Sequence, residues 1–520
     1  MIERKNIYRA IMYGFVAVVV ILLANINKAF FDFTDTPNKY ANIYWVVCVG
    51  FTILALCFIT YKAMDILYGL RNRDKWSRVF CGVFIIAIVL FTALAFITRP
   101  GNWGFIADEF YVYYASKKSY IWYSQGFISS IFMMIPLVLY PKALSVVLFE
   151  VFIYAAIVSK LLTDILLKVK RKWFLVFYIA LLLSPAIIAY MLCPIRGSYF
   201  AVFTLLLVHR IYSSWNQNSL DKGTRIDIFI DALLVSVLRT EGIIILFFTI
   251  VYLVYKASSK RARLYSLIVF CMGVIMFKAC YAGVTNLGGG YTPRQHALVS
   301  YVSPLSMILS DDKRLAKIDK EDLKNIDTVF PIDTMLEYPS ETTTWEWHYG
   351  SRSFQEPTKK EAKLFKESAT KICISNYDVY LKCRIKSFLH SVALSDEISI
   401  YWWGNDSFRE SEYITNIEEF IFSPYRESVL FTIINLRNRF GNKWFYVFYA
   451  FWIPMLVNGI LFIKGIIRKD YRSVAILFVY FMTLGVVIIT APARYNMYYL
   501  MFYVVGWYLI FNDILPSKEN

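Results

Sequence analysis

The sequence is poor in the residues that build most soluble active sites. Only 18% of its 520 residues are charged, and it has four histidines and eight cysteines. The cysteines form no CxxC pair and have no zinc-type spacing with the histidines, which gives a zinc site no support. There is also no P-loop, no GxGxxG and no GxSxG sequence, so nucleotide-driven transport and serine hydrolysis have no support.

The cysteines give little indication of redox chemistry, because most of them lie within or at the ends of apolar runs. These are placed as small hydrophobic residues are: Cys48, Cys57, Cys81, Cys193, Cys271 and Cys280. The other two, Cys373 and Cys383, share a polar region and could form a disulfide if that region is extracytoplasmic. No small-residue cleavage site clearly follows the first apolar run, so we expect no cleavable signal peptide.

Hydrophobic residues, by contrast, make up 58% of the chain, and aromatic residues 18%. A soluble domain of this size does not need so many, and they occur in runs long enough to cross a bilayer. Only helices and closed barrels satisfy their backbone hydrogen bonds in lipid, and a barrel would show an alternation that these runs lack. The sequence therefore predicts an all-α polytopic membrane protein.

The net charge of +17 does not indicate a nucleic-acid partner. Most of the basic residues lie in short connections between apolar runs, where they act as orientation signals. With these connections inside, about twelve spans are predicted and both termini are cytoplasmic. The predicted spans are 9–27, 41–61, 79–98, 143–165, 173–193, 197–213, 226–240, 243–257, 263–283, 443–465, 472–490 and 495–513.

This count depends on the apolar run 126–140, which is short for a span and contains Pro136. If it crossed the membrane, the basic stretch 168–172 and every later basic loop would lie outside. We therefore expect an outer helix that lies along the surface, or dips into the membrane and returns.

The chain divides into three predicted parts. Residues 1–283 form an N-terminal transmembrane domain with a catalytic outer loop at 99–125, and 443–520 form the C-terminal transmembrane helices. Residues 284–442 form an α-rich extracytoplasmic insertion of about the length of a small domain. Its aromatic patches at 345–350 and 401–406 suit stacking on a sugar ring, or packing of the domain onto the bilayer surface.

The loop 99–125 contains an adjacent carboxylate pair, Asp108 and Glu109, among tryptophans and tyrosines. Because Trp and Tyr favour the membrane–water boundary, we expect this loop at the level of the lipid headgroups. Two carboxylates there could act as a base on a hydroxyl, as a cation site or as part of a donor relay. The alternative is a solvated acidic pair in a surface loop.

The stretch LLVSVLRTEG places Arg239 and Glu241 between two apolar halves of a helical hairpin. Charges at that depth are costly unless they are paired or face a wet cavity, and an arginine there suits a phosphate. The alternative is a structural ion pair that closes a tight turn, to which Gly242 contributes flexibility.

Two further arginines are predicted at outer helix ends. Arg494 and Tyr495 lie at the outer mouth of the last span, and Arg196 precedes the span 197–213. A lone arginine at a helix end is usually an interfacial anchor. Together with Arg239 and the carboxylate pair, however, these arginines suit a reaction between an anionic lipid-linked donor and a neutral hydroxyl acceptor.

Two polar residues elsewhere are interpreted as structural. Glu150 lies inside an apolar run, and we expect it to be protonated and hydrogen-bonded rather than to relay protons. His209 lies at an inner loop mouth without ligand spacing.

These features together resemble the GT-C class of membrane glycosyltransferases, which use polyprenyl-phosphate-linked sugars. In that class an acidic residue, often in an Asp-Glu pair, lies in an early outer loop, as Asp108 and Glu109 do here. An outer interfacial helix follows, as predicted for 126–140, and then a span with a basic inner end.

Two short motifs add to the resemblance. The LRTEG turn is similar to the LxRxEG turn of many such proteins, matching it at Arg239, Glu241 and Gly242. The stretch APARYNMYY is similar to a Pro-x-x-Arg-Tyr element near the last span of several bacterial subfamilies, with one residue fewer before Arg494. The long insertion resembles uncharacterised membrane proteins of low-GC Gram-positive bacteria more than well-studied transferases. This chain also has an additional span before the acidic loop.

The resemblance implies an inverting glycosyltransferase of the cytoplasmic membrane. It would move a sugar from a polyprenyl-phosphate donor to a glycan, lipid or protein acceptor on the outer face. Asp108 would be the base and Glu109 would assist it or hold the acceptor. Arg239 and Arg494, with Arg196, Glu241 and Tyr495 beside them, would bind the donor phosphate. No cofactor is certain, and a divalent cation stays possible.

Two other functions remain open from the sequence. A polysaccharide flippase or exporter would explain the spans and the outer cations, but would need polar residues along a path through the membrane. An envelope polysaccharide polymerase or ligase would use a diphosphate-linked donor and outer-loop arginines, and would not need the carboxylate pair.

Overall fold

The chain folds largely into α-helices, as its apolar runs predict. The fold is taken from a computed structural model, which describes residues 2–34, 36, 38–101, 103, 108–122, 126–168, 173–282, 288–289, 298–337, 339–342, 357–394, 429, 448–491 and 495–514. Its one sheet in these residues is a parallel pair of two-residue strands, β1 (Ile121–Trp122) and β2 (Gly288–Gly289). The pair joins the predicted catalytic loop to the start of the insertion.

The helices before the insertion form most of the apolar bundle. They are α1 (Ile2–Asn27), α2 (Ala41–Arg71), α3 (Lys75–Ile97), α4 (Asp108–Lys117), α5 (Gly126–Leu139), α6 (Ala143–Lys168), α7 (Trp173–Leu182), α8 (Pro185–Met191), α9 (Arg196–Ser214), α10 (Lys222–Leu238), α11 (Gly242–Tyr255) and α12 (Lys260–Ala282).

The remaining helices belong to the insertion and to the end of the chain. The insertion contains α13 (Val302–Leu309), α14 (Asp312–Leu315), α15 (Lys320–Val329), α16 (Ile332–Glu337), α17 (Lys359–Ser375) and α18 (Tyr377–Ser391). The chain ends with α19 (Trp452–Arg468), α20 (Tyr471–Thr490), a 3-10 turn at Asn496–Tyr499 and α21 (Leu500–Ile514).

Five of the described helices are long and apolar enough to cross a membrane, and a bent pair would make a sixth. They are Ile7–Phe30, Ala41–Arg71, Lys75–Ile97, Ala143–Leu167 and Tyr471–Thr490. The protein is therefore an α-helical protein suited to a membrane, while the count of twelve spans stays a prediction. The shortfall arises because several predicted spans form shorter helices, such as the 14-residue α11 and the 15-residue α21.

The stretch 173–193, predicted as one span, forms two helices. α7 ends at Leu182, and α8 begins at Pro185 in the first helical turn, where a proline fits because its missing N–H needs no partner. α8 and α9 then meet at an angle of 113°. Arg196 is the first residue of α9 after this bend.

The apolar run 126–140 forms a separate helix, α5, whose side chains are covered by other helices. Its side chains are buried almost without interruption from Ile128 to Val138. A helix that is apolar on every side is stable only inside a protein or in lipid, and α5 packs against α1, α2, α4 and α6. Asn27 also donates hydrogen bonds to the carbonyls of Val138 and Leu139, at 3.0 and 2.8 Å. The helix therefore lies inside the bundle.

Polar clusters join the bundle helices at the end that is predicted to be cytoplasmic. His209 of α9 contacts Asp164 of α6 at 2.7 Å and Tyr508 of α21 at 2.9 Å. Nearby, Arg210 pairs with Asp227 at 3.1 Å and with Asp231 at 3.2 Å, which connects α9 to α10. His209 thus links α6, α9 and α21.

The insertion has a hydrophobic core of its own, built by α13 to α17 around the fully buried Phe365. α17 begins with a capping box in which the Thr358 hydroxyl accepts from the Glu361 N–H and the Glu361 carboxylate accepts from the Thr358 N–H. Cys373 and Cys383 are free and buried in this region, and burial raises their pKa values to about 12 and about 11. Both are therefore neutral thiols near neutral pH.

Candidate functional site

The turn between α10 and α11 holds a buried ion pair. Arg239 directly follows α10 and has an extended backbone, and Glu241 directly precedes α11. The Arg239 guanidinium contacts the Glu241 carboxylate. The two side chains are only 11% and 7% exposed. Because a buried charge is costly without an opposite partner, each of these residues depends on the other.

Gly242 keeps this turn tight for a reason other than flexibility. A Cβ at this position would lie 2.1 Å from the carbonyl oxygen of Val235, in the backbone of α10. The two helices therefore approach each other more closely than any side chain would permit. This approach fixes the position of Arg239.

Three elements meet at the Arg239 guanidinium. Its carbon lies 5.2 Å from the centre of the Tyr498 ring and 5.8 Å from that of the Phe200 ring, distances typical of cation–π contacts. A Cβ built on Gly197 would lie 3.8 Å from Nη1 of Arg239 and 3.6 Å from the carbonyl oxygen of Met497. The start of α9, the α10–α11 turn and the segment before α21 thus form one site.

Arg196 lies at the edge of this site and faces α4. It lines a small cavity whose other residues come from α4, α5, α6, α9 and the connection before α9: Val112, Ser129, Met133, Val146, Pro194 and Tyr199. Val112 is one helical turn after Asp108, the first residue of α4. The cavity therefore connects the arginine to the helix that begins with the carboxylate pair.

The structure thus brings Arg239 and Glu241 into contact, places Arg196 next to Gly197 beside them, and has Tyr495 close by. Tyr495 is buried and its ring centre lies 6.2 Å from that of Tyr498. Arg494, the residue before it, lies outside the described residues. So do the side chains of Asp108 and Glu109, although the backbone of both forms the first turn of α4.

A second cavity lies behind Arg196, and Tyr199 borders both. Glu150 lines this second cavity together with Tyr190 and Ser198. Tyr190 donates a short hydrogen bond to the side-chain oxygen of Asn496, and the Ser198 hydroxyl donates to the Tyr190 carbonyl at 2.7 Å. The buried polar groups therefore continue inward from the site.

Arg384 in the insertion is a site residue that the sequence interpretation missed. Its side chain is 4% exposed, and its Nη1 donates to the carbonyl oxygen of Ala491 at 2.7 Å. Nε and Nη2 have no hydrogen-bond partner within the described part of the chain. Burial lowers the pKa of this guanidinium below its usual range. The only sequence signal is the helical spacing of Arg384 from Tyr380 and Phe388.

Arg384 also connects the insertion to the Arg239 site. Tyr499 lies within electrostatic range of Arg384, Arg239 and Glu241. Phe388, one turn after Arg384, contacts Tyr499 with ring centres 5.4 Å apart. One face of α18 is therefore docked where α20 ends and the 3-10 turn begins.

An apolar groove begins one turn below the ion pair and runs between α9, α11, α20 and α21. At the near end it is lined by Ile245, Thr483 and Met501, and at the far end by Trp215 and Tyr255. The empty volume is about 1010 Å³ including the open side. From Ile245 to Tyr255 the groove extends roughly 15 Å at the rise of an α-helix. A charged site therefore lies at the head of a long apolar channel.

Scans against protein-family models, curated proteins and solved structures each found no match for this chain.

The geometry suits an amphiphilic anion. Buried arginines bind phosphate well because the planar guanidinium presents several donors in a fixed arrangement. The groove would take an apolar chain attached to such a group. Within the residues described, no cluster of three or more His, Cys, Asp or Glu side chains is placed to hold a metal ion.

Proposed function

We propose that the protein is an integral-membrane glycosyltransferase of the GT-C type. It moves a sugar from a polyprenyl-phosphate donor to a glycan, lipid or protein acceptor on the outer face of the cytoplasmic membrane. The observation that carries the proposal is the buried Arg239–Glu241 pair at the head of the apolar groove. A cationic head site and a long apolar channel match the two halves of a lipid-linked phosphate.

In this proposal the polyprenyl chain lies in the groove and its phosphate lies near Arg239. Arg196 and Arg494 add positive charge, and Glu241 holds the Arg239 fork in place until the phosphate arrives. The rings of Phe200 and Tyr498 keep water away from the guanidinium. Low local polarity strengthens the attraction between arginine and phosphate, so the leaving charge is stabilised as the sugar departs.

The acceptor is activated from the other side of the Arg196 cavity. Asp108 removes the proton of the acceptor hydroxyl, while Glu109 holds the acceptor or replaces Asp108 as base. The hydroxyl oxygen attacks the anomeric carbon as its bond to the phosphate oxygen breaks, which inverts that carbon. A divalent cation at the carboxylate pair would be compatible with this step. Nucleic acid is not a partner.

The topology that accompanies this function has about twelve spans and both termini in the cytoplasm. It places the turn at Arg239, the start of α9 and the end of α20 on the outer side. Positions 108 and 170 test it: an impermeant thiol reagent should label a cysteine at 108 from outside and leave one at 170 unlabelled. Labelling at both positions would overturn the topology.

Binding of a lipid phosphate is the direct test of the site. Undecaprenyl phosphate should raise the unfolding temperature of the purified protein in detergent, and the short-chain geranyl phosphate should do so far less. Arg239→Gln should lose the effect. Lys371→Gln, which removes an exposed positive charge of the insertion, should keep it.

The groove is tested with two tryptophan variants of α20. Ala475→Trp fills the groove, whereas Met482→Trp alters an exposed position on the same helix outside the groove lining. Only Ala475→Trp should weaken stabilisation by undecaprenyl phosphate. Equal stabilisation of both variants would show that the polyprenyl chain binds outside this groove, and would remove the main support for the proposal.

A second candidate is an envelope polysaccharide polymerase or ligase, which the presence of Arg196, Arg239 and Arg384 on neighbouring elements favours. Such an enzyme would use a diphosphate-linked donor and no carboxylate base. Asp108→Asn separates the two, since it should abolish transfer by a GT-C enzyme without affecting lipid-phosphate binding. Unchanged cell-envelope glycans in an Asp108→Asn strain would favour the polymerase or ligase.

A further inference from the structure

The helix α18 carries an apolar stripe that is exposed along its first half. Tyr377, Leu381 and Ile385 follow one another at intervals of four residues, so they lie on one face of the helix. They are 67%, 49% and 52% exposed. Ile374, at the end of α17 just before this stripe, is 69% exposed. Side chains of this kind are normally buried when they occur together.

The same stripe continues into a contact with the bundle. Phe388 follows Ile385 by three residues on the helix and packs against Tyr499. Arg384 lies beside the stripe and is bonded to the carbonyl of Ala491. The second half of the stripe is therefore docked, while the first half extends outward from the same contact.

The docking point lies at the end of a helix that is apolar and long enough to cross a membrane. Ala491 directly follows Tyr471–Thr490, and Ile489 near this end is 53% exposed. The end of a spanning helix lies at the boundary between hydrocarbon and lipid headgroups. The exposed stripe begins beside that boundary, where an apolar helix face with a tyrosine is stable.

We propose that the end of α17, at Ile374, and the first half of α18, at Tyr377, Leu381 and Ile385, bind the lipid surface of the membrane. The charged residues of the insertion agree with this orientation. Lys382 and Lys386 pair with Glu341, and Asp378 pairs with Arg314, so these charges beside the stripe have partners within the insertion. The helix thereby fixes the insertion on the bilayer beside the Arg239 site. This inference does not depend on the enzymatic activity.

Fluorescence quenching by lipid tests the proposal on the full-length protein in nanodiscs. The starting variant has Cys57, Cys81, Cys271 and Cys280 replaced by serine and keeps the buried Cys48, Cys193, Cys373 and Cys383. Single cysteines replace Leu381 and, independently, Ile374, and each is labelled with an environment-sensitive nitrobenzoxadiazole dye. Labelling of the starting variant itself measures the background from the buried thiols.

Two matched positions define the scale of the measurement. Ile460→Cys lies on an exposed apolar position of α19 and should be quenched strongly by phosphatidylcholine with a doxyl group at carbon 5. Glu367→Cys lies on the exposed charged face of α17 and should be quenched little. We expect labels at 381 and 374 to be quenched to an extent near that at 460.

Quenching at 381 and 374 no greater than at 367 would overturn the proposal. Efficient 381-to-381 crosslinking between copies that share one nanodisc, with no lipid quenching, would show that a second copy covers the stripe and would overturn it as well. Because 374 and 381 belong to different helices, a local folding defect at one position leaves the other able to decide.

Discussion

The bundle and the insertion each bury an apolar core, one including Tyr190, Tyr499 and Phe502 and the other centred on Phe365. Their surfaces differ. In the bundle, large apolar side chains such as Ile86 and Ile460 are exposed, at 71% and 58%. In the insertion, most of the exposed side chains of α15 and α17 are charged. The exposed apolar stripe of α18 is therefore an exception within the insertion and matches the surface of the bundle.

The two regions also treat ion pairs differently. Arg239 and Glu241 are almost completely buried, whereas Lys371 is 59% exposed and contacts Asp319 and Asp322 at 2.5 and 2.7 Å. A buried pair restricts both partners because neither can find water as a substitute. An exposed pair contributes little to the stability of the fold, because water and salt screen the two charges. The buried Arg239–Glu241 pair is therefore fixed in position, whereas the exposed pairs of Lys371 are ordinary surface charges.

The largest effect is expected for Arg239→Met, which leaves the Glu241 carboxylate buried without its partner. Breaking a buried pair costs about 3–5 kcal/mol, whereas Lys371→Met should have a far smaller effect because water and salt screen its exposed pairs. Thermal unfolding in detergent measures both variants. The buried Cys193 reports on the bundle, and its reaction with a thiol reagent should accelerate only in Arg239→Met. Equal effects of the two variants would contradict the comparison.

Phe365→Ala should destabilise the insertion and leave the bundle intact. Removing a fully buried phenylalanine side chain costs about 3–5 kcal/mol. Cys373 lies in the same core, so its thiol should react faster, while Cys193 in the bundle should stay protected. Parallel acceleration at both thiols would mean that the two cores unfold as one unit.

Gly242→Ala should have a smaller but clear effect, confined to the bundle. The added methyl group would meet the backbone of α10, and overpacking of this kind costs about 1–3 kcal/mol. Gly485→Ala is the matched control, because a Cβ added there would meet no neighbouring atom of the described chain within 4 Å. The control should be stabilising by about 0.5–1 kcal/mol through helix propensity. A neutral Gly242→Ala would show that the α10–α11 turn is looser than its close backbone approach indicates.

Acid should lower the stability of the insertion, and this is the smallest of the effects expected here. Burial acts to raise the pKa values of Asp322 and Glu341, but bonds from Lys371 and Ser368, and from Lys382 and Lys386, lower both. Since these pKa values are depressed on folding, their contribution is present above about pH 4 and is lost as the pH falls through the folded values. The rate of Cys373 labelling by 4,4′-dithiodipyridine should therefore rise below about pH 4.

The acid effect has its own control. Lys371→Met removes the partner of Asp322, so it should reduce the pH dependence of Cys373 labelling. Cys193 should show no comparable increase over the same range. An identical pH profile in the variant would show that another group governs the acid response.

The sequence predicted much of the secondary structure because long apolar runs leave helices as the stable choice. It located α5, the α10–α11 turn and the polar insertion, since each is marked by local features such as Pro136 or the Arg239–Glu241 pair. It did not predict the break at Ser184–Pro185 or the burial of α5. Both follow from how neighbouring helices pack, because an equally apolar helix can face lipid or protein.

The site divides in the same way. By itself the sequence determined the helical membrane class and indicated Arg196, Arg239, Glu241 and Tyr495, because charges next to apolar runs are expensive without a role. Only the tertiary structure decided that the start of α9 lies against Arg239, and that Arg384, nearly 150 residues further along the chain, docks at the end of α20 nearby. Such contacts depend on helix crossings and on the docking of α18. Those are set by the shape of many side chains together and leave no local mark in the sequence.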